Sequence, residues 1–232
     1  MRDTKNDSKR PERNQDKHTP PASGNDNNTN IARALLCKTG INVTQSIDRQ
    51  LDAYVQLIRN WNSFASLVSQ NDLALLEKVH VPDSLSLAPL IHRLGEGPLR
   101  LLDIGSGGGF PAIPLKIVLP ELEVEMVERG ARKVGFLEKV VGSLHLDNVR
   151  VVQGNFPEVE VAVPEAVTAR AVEKPGKVLP GALDLLPVGG VFLCQTVLPQ
   201  LDPRFHVERV EDEWTAQGLR RGNLYIIRRV KT

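Results

Sequence analysis

Leu101-Leu-Asp-Ile-Gly-Ser-Gly-Gly-Gly-Phe-Pro-Ala-Ile-Pro-Leu115 is an apolar run, then four glycines within five residues, then a second apolar run. The first run has strand character and the second, entered near Pro111, has helix character, so the glycines fall in the turn between them. A glycine-rich turn lets the backbone come close to a ligand, and the start of the following helix offers unpaired N–H groups. The glycines Gly105, Gly107, Gly108 and Gly109 do not make GxGxxG, because Phe110 stands at the third glycine position. That spacing disfavours a dinucleotide cradle, which needs the third glycine for close helix–strand packing.

Outward from this stretch the texture alternates. Strands are predicted at Arg100–Ile104, Leu122–Glu128, Val149–Gln153, Ala166–Arg170 and 191–196, with helices at Ala131–Leu144 and near 177–186. Such alternation implies an α/β fold with a mostly parallel sheet. His206–Val210 and Leu224–Val230 have no long helix between them and are expected to form an antiparallel C-terminal hairpin at the sheet edge. Towards the N-terminus, Ile47, Leu51, Tyr54, Ile58, Trp61, Ala65 and Val68 form one helical stripe. A short helix over Ile31–Lys38, closed by Gly40, is expected before it. A helix capped by Asp72 and another capped by Asp83 or Ser84 are expected after it. Residues 1–30 are almost wholly polar and cannot bury enough surface to offset their ordering entropy. The expected organisation is a disordered tail over 1–30, a small N-terminal helical cap over 31–97 and a ligand-binding domain over 98–232.

Composition narrows the setting. The 232 residues are 41% hydrophobic and 25% charged, ordinary values for a globular chain. No apolar run reaches the ~18 residues of a membrane span, so no membrane partner is expected. The polar N-terminus has no secretory core. Cys37 and Cys194 stand alone, which suggests neither a disulfide framework nor a metal site, and a cytoplasmic setting is expected. A formal net charge of +1 gives no global signal for nucleic acid, so an RNA partner would need local basic patches.

Asp103, two residues before a GxGxG loop, resembles the first motif of Rossmann-like class I methyltransferases. An acid at the end of the next strand, Glu128, stands where the ribose hydroxyls of S-adenosylmethionine would be held by charge-assisted hydrogen bonds. The match is closer still. The run Asp103-Ile-Gly-Ser-Gly-Gly-Gly-Phe-Pro-Ala-Ile-Pro-Leu115 resembles the signature of the ribosomal RNA small subunit methyltransferase G family. So do Tyr54 with Trp61-Asn62, His80 with Asp83-Ser84-Leu85, Arg132-Lys133 with Phe136-Leu137, and Thr168-Ala169-Arg170-Ala171. The resemblance covers roughly Ser46 to the C-terminus. It implies transfer of a methyl group from S-adenosylmethionine to N7 of a guanine in 16S ribosomal RNA, free or in the small ribosomal subunit.

The resemblance also implies site residues. Asp103, Gly105, Gly107, Gly109, Phe110 and Glu128 would line the cofactor, with Asn155, Phe156 and Pro157 passing its adenine. Arg170 would act at the mouth of the site, on the cofactor carboxylate or on an RNA phosphate. The plainer readings are a core position for Phe156, a structural ion pair for Arg170, a cap for Asp83 and a packed position for His80 and Trp61. Two basic sets, Arg129, Arg132 and Lys133, and Arg220, Arg221, Arg228, Arg229 and Lys231, are expected either as a phosphate-binding rim or as solvated helix and edge-strand faces. The chain departs from the family at Ala112, at Ser66-Leu67-Val68 (for Asn-Leu-Thr), at Phe156-Pro157 and at Gln195 (for Lys). A methyltransferase of the same fold with another substrate, or a cofactor-binding relative without turnover, is the competing expectation.

Overall fold

The computed structural model describes residues 27–95, 97, 99–170, 175–195, 198 and 201–231. The expectation for the tail therefore lies mostly outside the described residues. Its last four residues do not belong to a tail, because the first helix, α1, is Asn27–Lys38. It ends where Gly40 takes a positive φ.

β1 (Arg100–Ile104), β2 (Glu123–Glu128), β3 (Val149–Gln153), β4 (Ala166–Ala169) and β5 (Val191–Cys194) pair in parallel. β6 (Phe205–Arg209) and β7 (Tyr225–Arg229) form the antiparallel edge. Among the described residues the sheet runs β3-β2-β1-β4-β5-β7-β6. The order reverses between β1 and β4, and in an open α/β sheet that switch opens the ligand crevice at the carboxyl ends of the strands. α6 (Ala112–Val118) follows β1, α7 (Ala131–Leu144) follows β2 and α8 (Pro175–Leu185) follows β4.

α2 (Gln45–Ala65) turns Leu51, Tyr54, Val55, Ile58 and Ala65 inward, and packs on α6 and α7. One apolar core thus joins Leu36 of α1 and Ile58 of α2 to Leu101 and Met126 of the sheet. Burying such a face contributes roughly 25 cal/mol per Å² of apolar surface. α2 ends on Ser66 at φ 51°, ψ 56°, a left-handed residue that Asn or Gly would occupy with less strain. This is the position where the family pattern has Asn.

The next segment differs from expectation. Ser69, not Asp72, caps α3 (Gln70–Leu73): Ser69 Oγ accepts from Asp72 N at 3.2 Å and donates to Asp72 Oδ2 at 2.7 Å. Asp72 occupies the third helical position, where an acid completes the cap reciprocally. Leu76–His80 is then a π-helical turn that runs on into α4 (Val81–Leu85). Because the chain enters α4 without a break, Asp83 and Ser84 sit inside it and neither is a cap. Ser84 Oγ bonds back to the His80 carbonyl at 2.8 Å, and the Asp83 carboxylate is left to face other elements. α5 (Ala88–His92) and the one-turn α9 (Glu213–Ala216) complete the helices among the described residues.

Candidate cofactor and substrate site

The glycine loop is fastened from two sides. Below it, Glu128 at the end of β2 accepts Gly107 N on Oε2 at 2.9 Å and Gly130 N on Oε1 at 2.8 Å. Above it, Tyr54 of α2, fully buried, donates its hydroxyl to the Gly108 carbonyl at 2.6 Å. Gly105, Gly107 and Gly109 all take positive φ. At Gly109 a Cβ would come within 2.7 Å of Ile113 Cγ1 and 3.2 Å of both Leu137 Cδ2 and Tyr54 Oη. Phe110 follows, edge-on to Tyr54 and tilted against His80, with ring centroids 5.3 and 5.5 Å apart.

Beneath the loop lies Asp103, 1% exposed. The parallel register sets it opposite Thr168, whose hydroxyl donates to Oδ1 at 2.7 Å. Oδ2 is buried and, among the described residues, accepts no hydrogen bond. Burial pushes this carboxyl up to about 6, against the hydrogen bonds that favour its charge. A buried carboxylate oxygen with a vacant lone pair beside a glycine loop is a place for a cationic N–H donor.

Arg170 stands just past the end of β4. Its Nη2 lies 3.0 Å from Asp83 Oδ2 and its Nη1 3.4 Å from Ser84 Oγ, so it joins α4 to the carboxyl edge of the sheet. Asp83, also 1% exposed, accepts on Oδ1 from Arg221 N at 2.7 Å and from Gln195 Nε2 at 3.3 Å. One buried carboxylate therefore gathers α4, the ends of β4 and β5, and the segment before β7. Sequence reasoning missed this role for Asp83, because its partners are distant in the chain. His80 is buried against Phe110 with Nε2 3.1 Å from Asp72 Oδ1, and its ring's pKa is lowered, mainly by burial.

Phe156 belongs to the core beside Leu179 and Ala182. Its ring and Pro157 crowd Gly181 of α8, where a Cβ would meet them at 3.1–3.3 Å. Asn155 is exposed, and its carbonyl accepts Glu158 N at 2.8 Å and Val159 N at 3.2 Å. Trp61 is half-buried and packs on Phe136 at 6.1 Å between centroids. Asn62 closes the end of α2, its Oδ1 accepting Leu67 N and Val68 N at 2.9 Å.

The expected C-terminal basic rim does not form. β7 is antiparallel, so Arg228 pairs with Val191 at the start of β5, the sheet end opposite the loop. Arg229 there caps α8, its Nη1 donating to the carbonyls of Leu186 at 2.5 Å and Asp184 at 3.3 Å. Arg220 is at the site end but has no exposed side chain. It grips Asp212 at 2.8 and 2.9 Å, and Nε and Nη2 reach Ser86 Oγ and Ser86 O at 3.2 Å. Arg221 is exposed at the site end, 3.7 Å from Asp72. Arg129, Arg132 and Lys133, at the start of α7, are also at the site end.

A family model described as rRNA small subunit methyltransferase G matches residues 47–200. The ribosomal RNA small subunit methyltransferase G of Neisseria meningitidis serogroup A is 34% identical over 169 residues, 72% of this chain and 80% of that protein. The protein of that name from Vibrio cholerae serotype O1 is 38% identical over 125 residues, 54% of this chain and 57% of its own. Among solved structures, a putative caffeoyl-CoA O-methyltransferase from Staphylococcus aureus matches with a TM-score of 0.53 and 14% identity. It covers 88% of this chain and 100% of that one, a likeness of fold alone.

Proposed function

Because this chain belongs to the rRNA small subunit methyltransferase G family, we propose that its cleft aligns N7 of a guanine in 16S ribosomal RNA for methylation. The chain is an S-adenosylmethionine-dependent methyltransferase of small-subunit ribosomal RNA, and a ribosomal RNA substrate supports a cytoplasmic setting. When bound, the cofactor supplies an electrophilic methyl group on a sulfonium sulfur.

The residues present fit that cofactor, and the vacant Oδ2 of Asp103 is the observation that carries the reading. Asp103 would accept the ammonium of the methionine part, with the Gly105–Gly109 turn and Phe110 beside it. Glu128 has lone pairs left after its two amide bonds and would accept the ribose hydroxyls. The backbone of Asn155-Phe156-Pro157 would border the adenine, with Phe156 held by its packing on α8. Arg170, fixed by Asp83, would stand at the mouth as a positioning group for the cofactor carboxylate or an RNA phosphate.

Guanine N7 suits the acids and bases found there. It carries a lone pair and no proton, so no side chain must act as a base. His80, Asp83 and Glu128 are all engaged by protein partners. Alignment and exclusion of water then supply the acceleration, up to about 7–11 kcal/mol in well-oriented systems. Incubating unmodified 16S RNA or small subunits with protein and cofactor should create one N7-methylguanine, read as a new position of reductive strand scission. Cofactor binding without any transfer to either substrate would overturn the assignment.

The pH dependence follows from Asp103. A cationic ligand group pairs with the ionised carboxylate, so cofactor affinity should be highest near pH 7, where Asp103 is ionised and the ligand ammonium still holds its proton. It should then fall as pH drops through about 6, approaching tenfold per unit. Asp103→Asn should bind more weakly at pH 8 and lose this dependence, which calorimetry between pH 5 and 8 measures. Without ligand the sign reverses. The raised pKa costs nothing below about pH 4, and its penalty to stability grows as pH rises towards 6.

A further inference from the structure

Phe64 is the exposed aromatic among the described residues, at 57%. It sits in the last turn of α2, two residues before the left-handed Ser66. The Arg132 guanidinium, from the first turn of α7, lies 5.2 Å from its ring centroid, and Arg132 Nη1 reaches the Phe64 carbonyl at 3.5 Å. Trp61 meets the ring edge-on with centroids 6.0 Å apart. The ring is thus fixed in orientation by two neighbours while most of its surface stays in water. Burial would have been the ordinary fate of a phenylalanine.

The position of this ring matters as much as its exposure. Leu67, three residues on, packs beside the glycine loop: a Cβ on Gly108 would lie 3.5 Å from Leu67 Cβ. Arg132 and Lys133 follow Glu128 by a few residues at the carboxyl edge of the sheet. An aromatic face and basic side chains therefore share the rim next to the cofactor loop.

We infer that Phe64 and Arg132 form a stacking platform for an unpaired nucleobase of the RNA substrate, with Arg132 and Lys133 contacting its phosphates. This rests on the reading of RNA as substrate. Every base has a π-face, so an exposed ring accepts one without reading its identity, and an arginine plane extends the stacking surface. The neighbouring cations supply the charge complementarity that the near-neutral chain lacks overall. The platform holds RNA close to the loop while taking no part in the transfer itself.

Three variants of the full chain test this: Phe64→Ala, Phe64→Leu and Arg132→Gln. Binding is read with a fluorescent single-stranded oligoribonucleotide, transfer with unmodified 16S RNA, and cofactor affinity by calorimetry. Phe64→Ala and Phe64→Leu should each weaken oligonucleotide binding and raise KM for RNA by about tenfold, with cofactor Kd unchanged. Neither should alter the salt dependence. Arg132→Gln should lower the slope of log K against log salt by about 0.7. A Phe64→Leu chain as good as the parent would mean an apolar shield over Trp61 and overturn the platform. So would unchanged oligonucleotide binding and unchanged KM in Phe64→Ala. If the parent chain transfers nothing to 16S RNA yet Phe64→Ala still loses oligonucleotide binding, the substrate reading fails and the platform stands.

Discussion

Gly109→Ala is expected to destabilise the fold by about 2–5 kcal/mol and to remove cofactor binding. Two costs add at this position. Its φ of +90° is one an L residue rarely adopts. A methyl group there would also meet Ile113 Cγ1 at 2.7 Å, with Leu137 and Tyr54 Oη at 3.2 Å behind it. None of the three neighbours has room to move, since Ile113, Leu137 and Tyr54 are all fully buried. The loop must shift, and with it the hydrogen bonds of Gly107 to Glu128 and of Gly108 to Tyr54. Thermal melts with and without S-adenosylmethionine check both halves: a lower Tm, and no increase on adding ligand. Gly107→Ala is the control, because its φ is +56° but the nearest atom to a new Cβ is 3.7 Å away. It should pay the backbone cost alone, about 1–2 kcal/mol. Equal losses from the two variants would show that crowding at Gly109 is unimportant.

Arg220→Ala should cost about 1–3 kcal/mol, because the buried guanidinium goes and the buried Ser86 carbonyl and the part-exposed Asp212 carboxylate are left without their donor. Asp212, Thr215 and Ser86 all lose the group they were arranged around. The loss should spread to function. Ser86 follows Asp83 and Ser84, the residues that hold Arg170, and Arg221 N binds Asp83 directly. Equilibrium denaturation gives the stability change, and transfer assays at low temperature, where the variant is folded, give the second effect. Adding Asp212→Ala to Arg220→Ala should recover part of the stability, because the stranded carboxylate goes too. If the double variant is no better than the single one, the pair is not the source of the loss.

Much of the frame was legible from periodicity. Arg100–Ile104, Ala131–Leu144 and Val149–Gln153 have the predicted bounds, because each is a short run with one dominant period between clear breakers. The antiparallel edge was legible from the missing helix between its strands. Helix ends held by side chains were less so: Ser69 and Asp72 are both good capping residues, and only the backbone distinguishes a cap from the third helical position. Charge partners were not legible at all. Asp83 reads as a cap until Arg170, Gln195 and Arg221 are brought to it across the fold. Arg220 reads as a surface cation until Asp212 and Ser86 enclose it. Arg228 and Arg229 read as rim residues because sequence does not say which end of the sheet an antiparallel strand presents.

The fastening of the glycine loop by Tyr54 above and Glu128 below has a kinetic consequence. A loop already in its binding shape has no ordering step to complete after encounter, so the free chain should capture S-adenosylmethionine at a rate set by diffusion and access. Its dwell time then depends on what covers the mouth, and RNA seated across the rim would hold the cofactor in. Exchange of spent for fresh cofactor would follow release of the methylated RNA, giving turnover a compulsory order that the loop itself does not impose.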